Sequence, residues 1–389
     1  MRRAKKATVF AAFCLFVAGC ATAPLQDLKP GERPALETDE AGFWMVTDRI
    51  EAKLSTSGRI VKDPKINAYV RGIICRLTPE HCANIRLYVV RTPNFNASMM
   101  PNGAMQVWTG AILRSRNEAQ LAYVIGHELS HYLRRHTIQQ WRDARAKTDA
   151  LAFFQLATAL AGVPVVGMVV QIATMAGHFG FTRDQERESD RLGFEMMVQA
   201  GYDPREAAKV WEALLEEKDA SDEPKKLIFF STHPASEERE KTLAKMAEEL
   251  GDNGGLVGKD KLAAVTSIYR GKWLRDELRH RDYPRLEVVI KQQIESWGQQ
   301  GTLHYFQGEL YRLRGEEEDA AKAVAAYQEA LSTNDPPAQT HRALGLVYWS
   351  MDRPAEARAA FENYLLADPA ADDRPMIESY IQQIKGGVS

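Results

Sequence analysis

The sequence predicts an α+β, predominantly α chain in two parts, a mixed unit with a small β-sheet followed by an array of paired helices. Three observations lead there. Apolar residues recur at helical spacing over long stretches, as in Ile50 and Leu54, in Ile66, Val70, Ile73 and Ile74, and in Leu121, Val124, Ile125 and Leu129. Two short runs, 85–91 and 105–109, read instead as strands, separated by turn chemistry at Pro93, Asn94 and Pro101-Asn102-Gly103. Past a glycine-rich joint at 251–258 the helices come in pairs, and Gly308-x-x-Tyr311 recurs as Gly345-x-x-Tyr348, Ala323-x-x-x-Tyr327 as Ala357-x-x-x-Phe361, and Pro336 as Pro369.

Length and charge bound the function. With 389 residues, 45% of them hydrophobic, the chain can bury a sizeable core. Its 50 Lys and Arg stand against 52 Asp and Glu, so no overall basic field exists to gather nucleic acid. The first residues differ from the rest: Arg2, Arg3, Lys5 and Lys6 precede an uncharged apolar run that is too short to span a bilayer. Residues 1–19 therefore read as a secretory signal peptide. Val17-Ala18-Gly19-Cys20 resembles the lipobox of bacterial lipoproteins, with Cys20 as the lipid anchor and Val17 where leucine is usual. Ala21 after the cysteine then points to the outer membrane, facing the periplasm. Residues 20–38 suit a tether, with structure beginning near Asp39. With Cys14 removed and Cys20 acylated, Cys75 and Cys82 are left in an oxidising compartment, either as one disulfide or as two buried thiols.

Residues 39–255 are expected to form the first domain and 260–389 the second. Between Asp149 and Arg183 lie 33 residues without Asp, Glu, Lys or Arg, broken at Gly162-Val163-Pro164 and Gly167. This hydrophobic hairpin, 150–181, either spans the membrane twice or lies on the folded unit, and its short halves favour the second. The C-terminal array resembles tetratricopeptide repeats, whose small residues mark where paired helices touch and whose aromatics fill the gap between them. A short insertion at 315–319, a degenerate first pair at 261–300 and a capping helix at 374–385 complete that reading.

His127-Glu128-Leu129-Ser130-His131 is the constellation that demands chemistry. Histidines four apart project from one helix face and can share a Zn2+ ion, while Glu128 is placed beside it as a base for metal-bound water. A catalytic zinc needs a third protein ligand. Arg134 and Thr137 stand where the metzincin pattern requires glycine and histidine, which excludes that class. His136 reads as a surface residue of a helix continuing over 118–141. A carboxylate from a later helix remains, as in gluzincins, and the run Thr182 to Asp190 offers Glu186. Asp190, one turn on, shares its face and can orient a zinc-bound histidine; Glu188 points elsewhere.

Asn96-Ala97 with Met100-Pro101-Asn102-Gly103, then the His-Glu-x-x-His run, then Thr182-Arg183-x-x-Glu186-x-x-x-Asp190-x-x-Gly193, then Thr232-His233-Pro234 with Arg239, together resemble metallopeptidase family forty-eight over about residues 39–250. The resemblance implies one Zn2+ held by His127, His131 and Glu186, Glu128 as general base, Asp190 behind the ligands, and His233 and Arg239 near the metal. Imidazole also makes His233 a candidate fourth ligand. Ser189, where alanine is usual, and Asn102, where glycine is frequent, remove no ligand. The expected function is a zinc metalloendopeptidase of the bacterial cell envelope that degrades misfolded or stalled outer-membrane and periplasmic proteins. Its repeats would recruit substrate or outer-membrane assembly machinery. The alternative is a chaperone-like adaptor with a latent or structural zinc site.

Overall fold

A computed structural model of the chain describes residues 25–147, 180–221, 228–234, 236–251 and 254–386. The lipobox, Cys20 and nearly all of the 150–181 hairpin lie outside these residues. Among the described residues no helix is long and apolar enough to cross a membrane.

Helix α1 (Asp39–Ser55) starts at Thr38, whose side chain accepts from Ala41 N, and α2 (Pro64–Leu77) starts at Asp63 with proline in its first turn. Cys75 at the end of α2 is disulfide-bonded to Cys82, with 4.8 Å between Cα atoms. The sheet has three strands, β1 (Arg86–Val90), β2 (Ala97–Met99) and β3 (Ala104–Trp108), in the order β1-β3-β2. β3 pairs parallel with β1 and antiparallel with β2, which leaves β2 as an edge. The sequence pattern showed β1 and β3 but not the three-residue β2, which is too short to display a period. Between β2 and β3 the chain turns at Gly103, where φ is 89° and a Cβ would lie 2.8 Å from Asn84 O. Asn102 braces this turn to α1, its amide donating at 2.8 Å to both Asp48 and Glu51.

After the short α3 (Thr109–Arg114) comes α4 (Glu118–Leu133), capped by Asn117 and buried along almost all of its length. α2, β2, α6 (Arg183–Gln199) and α7 (Arg205–Ala220) pack around it. The closest approach is glycine on glycine: a Cβ on Gly193 of α6 would stand 2.7 Å from His127 N, and one on Gly126 of α4 would stand 3.0 Å from Gly193 O. Small helices α8 (Ile228–Thr232) and α9 (Glu237–Leu250) follow.

Two expectations are corrected. The helix over 118–141 breaks: α4 ends at Leu133, Arg135 takes a left-handed φ of 57°, and α5 (His136–Lys147) starts in a new direction. A non-glycine residue rarely adopts that conformation, so composition gave no warning. Nor does the described part of the tether hang free. Leu28 is buried, its N–H donates to Leu133 O at 3.0 Å, and Asp27 accepts from Arg134 Nη1 at 2.7 Å.

The C-terminal helices are α10 (Lys259–Leu278), α11 (Tyr283–Trp297), α12 (Gly301–Arg314), α13 (Asp319–Ser332), α14 (Gln339–Ser350), α15 (Pro354–Ala367) and α16 (Arg374–Lys385). A Cβ on Gly308 would meet the Tyr327 ring at 2.3 Å, and one on Gly345 the Phe361 ring at 2.6 Å. Each recurring glycine thus makes room for the recurring aromatic of the next helix. The joint near residue 255 is no free hinge. Ala119 N donates to Val257 O at 3.1 Å, and the buried Arg114 pairs with Glu217 of α7 at 2.7 Å and Glu277 of α10 at 2.6 Å. Arg285 of α11 closes that network on Glu277 at 2.8 Å.

Because the two backbones meet at glycine, Gly193→Ala should overpack the α4–α6 crossing and cost about 1–3 kcal/mol of stability. Urea unfolding of the full chain checks this. An unchanged midpoint would show that the crossing can open without penalty.

Candidate metal centre

The crossing at Gly126 and Gly193 decides what faces what. Asp190 and Glu186 stand three and seven residues before Gly193, on the same side of α6, so the contact lays both carboxylates along the His127 and His131 face of α4. The loop after α8 brings in His233, whose N–H donates to Phe229 O at 2.9 Å and whose ring stacks on that phenylalanine. All four of His127, His131, Glu186 and His233 are buried, and one ligand atom from each lies within 4.8 Å of the others.

The separations are informative. His131 Nε2 is 3.1 Å and His233 Nδ1 3.2 Å from His127 Nε2. Glu186 Oε1 is 2.9 Å from His233 Nδ1 and 3.5 Å from His131 Nε2. A tetrahedron whose corners lie 2.0–2.1 Å from its centre, as around zinc, has edges of about 3.4 Å. Charge points the same way: Glu128, Glu186 and Asp190 are buried together against the single guanidinium of Arg239. A divalent cation balances such a cluster. Glu128 Oε1 is moreover buried without a hydrogen-bond partner, as a water-facing oxygen would be.

Titration directions follow from this crowding. Burial pushes the Glu128 carboxyl above its ordinary value despite the pull of His233 and His127. Burial also opposes charge on Glu186, but His233, Arg239 and His127 outweigh it and hold the group low. His131 is pushed far down, by burial first and then by its neighbours His127 and His233. For His233, burial is overcome by Glu186 and Glu128, and its value rises.

Around these groups lies a set of orienting contacts. Asp190 Oδ1 is 3.0 Å from His127 Nδ1, and Arg239 grips Asp190 with Nε at 2.6 Å and Nη2 at 2.5 Å. Arg239 also lies 2.5 Å from Glu186 Oε2, as an ion pair without hydrogen-bond alignment, and stacks over Trp211 at 3.9 Å. Tyr123 donates to Asp190 Oδ1 at 2.7 Å and receives the Trp211 Nε1–H at 3.1 Å. Tyr123 and Trp211 were not singled out by sequence; as apolar-stripe residues they look like ordinary core. His136, read as a surface residue, is 1% exposed, and its Nδ1 is 3.0 Å from His131 Nδ1. The left-handed turn at Arg135 swings it back onto the ligand. Glu188 stays off the face of Glu186 and Asp190, as its phase predicts; its half-exposed carboxylate lies 3.2 Å from His136 Nε2. Cys75, in α2, and Cys82 are not among the groups of this centre.

Comparison with known proteins bears on this arrangement. Residues 63–247 match the model of peptidase family M48. The chain is 27% identical over 197 residues to the beta-barrel assembly-enhancing protease of Escherichia coli (strain K12), covering 48% of this chain and 40% of that protein. It is 25% identical over 244 residues to a putative beta-barrel assembly-enhancing protease of Vibrio cholerae, covering 58% and 49%. To the mitochondrial metalloendopeptidase OMA1 of Schizosaccharomyces pombe it is 33% identical over 159 residues, covering 39% and 44%. The matches thus span less than half the length of each of these relatives.

Asp190 fixes the tautomer of a candidate ligand, so Asp190→Asn should weaken binding of one equivalent of Zn2+ by about 10–100-fold. Competition against a chromophoric chelator measures it. Equal affinity would mean that Asp190 serves Arg239 and Tyr123 and not His127.

Proposed function

Because residues 63–247 match the model of peptidase family M48, we propose that the chain is a zinc-dependent endopeptidase. The observation that carries this is the convergence of His127, His131, Glu186 and His233 on one point with Glu128 beside it. His127, His131 and Glu186 would hold the ion, which when bound lowers the pKa of a water and polarises the substrate carbonyl. Glu128, whose Oε1 is buried beside these groups without a hydrogen-bond partner, would take the proton of an attacking water and return it to the leaving amine. Asp190 and Arg239 keep His127 and Glu186 in place; Arg239 acts through its partners, since Nε and Nη2 are taken by Asp190 and Nη1 by Glu186. Substrate would add as a strand along the edge β2, where main-chain hydrogen bonds ask little of sequence. Unfolded proteins fit that mode.

His233 sits where a fourth ligand belongs, with Nδ1 toward the other ligand atoms and Nε2 3.5 Å from Glu128 Oε1. Bound there, it would take the place of the reacting water and leave the site latent. Movement of His233 would free the place, and the released imidazole could hydrogen-bond the substrate carbonyl oxygen. The same observation supports the second reading, a chaperone-like adaptor that keeps its zinc closed off.

We place the protein in the bacterial cell envelope, lipid-anchored through Cys20 at the outer membrane. Its substrates would be misfolded or stalled envelope proteins, and its helical array, read as tetratricopeptide repeats, would recruit them or the assembly machinery. The name of the Escherichia coli relative supports the envelope role. Cys20→Ala behind a generic cleavable signal should be recovered without detergent; a continued need for detergent would assign the anchor elsewhere.

Glu128→Gln should bind zinc as the wild type does and lose casein cleavage by 10²-fold or more, roughly the contribution of general base catalysis. Retained cleavage would exclude the mechanism. With His233→Ala, zinc should stay and the rate should move, upward if latency dominates and downward if the carbonyl contact does. An unchanged rate with unchanged zinc removes both roles.

A further inference from the structure

The two helix histidines of the centre are braced by different means. His127 leans on a carboxylate directly, with Nδ1 3.0 Å from Asp190 Oδ1. His131 does not. Its Nδ1 faces the Nδ1 of His136 at 3.0 Å, and His136 Nε2 faces Glu188 Oε2 at 3.2 Å. Beyond that, Glu188 Oε1 is 3.1 Å from Arg134 Nε, and Arg134 Nη1 reaches Asp27 at 2.7 Å. Ser189 Oγ also stands 3.4 Å from His136 Nδ1, and the Phe181 ring lies over the His131 ring at 3.7 Å.

Resting on the zinc reading above, we infer that His136 is a positioning residue for the ligand His131, and that Glu188 sets its tautomer. The argument is one of donors and acceptors. A neutral imidazole carries one proton, and His131 can ligate through Nε2 only when that proton is on Nδ1. Two Nδ1 atoms 3.0 Å apart need one donor and one acceptor, so His136 must accept there and carry its own proton on Nε2. That proton points at Glu188, an acceptor-only carboxylate. Were His136 protonated on Nδ1 instead, it would force the His131 proton onto Nε2, the ligating atom. Glu188 thus selects the tautomer of His136, and His136 selects the tautomer of His131. The chain Glu188, His136, His131 does for one ligand what Asp190 does for the other, through one additional ring. It also ends differently: Asp190 is buried, whereas the Glu188 side chain is 37% exposed.

The geometry that permits this is the left-handed residue at Arg135. A helix continued through 134–136 would carry His136 away from His131, since residues five apart on a helix do not share a face. The break turns the His136 ring under the metal helix, where it is 1% exposed.

The test uses the full chain with His136→Leu, His136→Asn and Glu188→Ala. It measures Zn2+ affinity by chelator competition at one fixed pH, the visible spectrum of the Co2+-loaded protein, and the Tm of the metal-free chain. Asn places an amide oxygen near the Nδ1 position and can still accept from His131, whereas Leu fills the space without accepting. The expected order is wild type at or above His136→Asn, with His136→Leu weaker by about 10–100-fold and with a shifted Co2+ spectrum. Metal-free Tm should be the same for the Asn and Leu variants. Glu188→Ala should fall between wild type and His136→Leu. Zinc binding by His136→Leu as tight as the wild type's would overturn the inference. So would an Asn variant as weak as the Leu variant, since shape and not acceptance would then be what counts. A wild type that binds no zinc would instead remove the metal-site reading itself.

Discussion

Gly126 and Gly193 allow two helices to cross with their backbones in contact, and the centre depends on that crossing. A Cβ on Gly193 would stand 2.7 Å from His127 N, so any side chain there pushes α6 away from α4. The candidate ligand atoms would be pulled apart by such a displacement, because His127, His131, Glu186 and His233 stand about 3 Å from one another. Helix α6 is otherwise an ordinary charged helix. Its capping box at Thr182 and Gln185 fixes where it starts, and the glycine contact fixes which of its acids are buried. Glu186 and Asp190 lie on the Gly193 side and become buried, while Asp184 stays in solvent.

Bringing three carboxylates into one buried space carries an electrostatic cost that the chain meets in two ways. Arg239 supplies a fixed positive charge, held flat against Trp211 and forked onto Asp190. The remaining negative charge fits a divalent ion. The raised values of both Glu128 and His233 belong to the same imbalance, with burial acting first on the acid and the neighbouring acids acting on the base. A second buried ionic group, Arg114 with Glu217, Glu277 and Arg285, works at the other end of the unit. It ties α3 and α7 to α10 and α11, so the first helices beyond the glycine-rich joint are part of the body that carries the centre.

Much of the site was legible in one dimension because its groups obey helical phase. His127 and His131 are four apart, Glu186 and Asp190 are four apart, and no knowledge of the fold is needed to place either pair on a face. The recurring glycines 308 and 345 were legible for a similar reason, since each answers an aromatic one helix away. His136 was read wrongly because phase was carried through a break. Arg135 is left-handed without being glycine, and nothing in its side chain announces that. β2 escaped because three residues cannot show alternation, and Leu28 escaped because one buried leucine in a proline-containing stretch has no period at all.

The sequence by itself determined the candidate ligand types, their spacing on each helix, the acid beside them, the helical pairs and the turn at Gly103. These are local properties, set by residues within a turn or two of one another. Only the tertiary structure decided which helix faces meet, that His233 points Nδ1 at the ligands and Nε2 at Glu128, and that Tyr123, Trp211 and His136 stand behind them. Those are contacts between residues as many as 112 positions apart, as for Arg239 and His127. They follow from how close two backbones can come and how a left-handed residue redirects the next helix. Neither quantity is written in the period of a single segment.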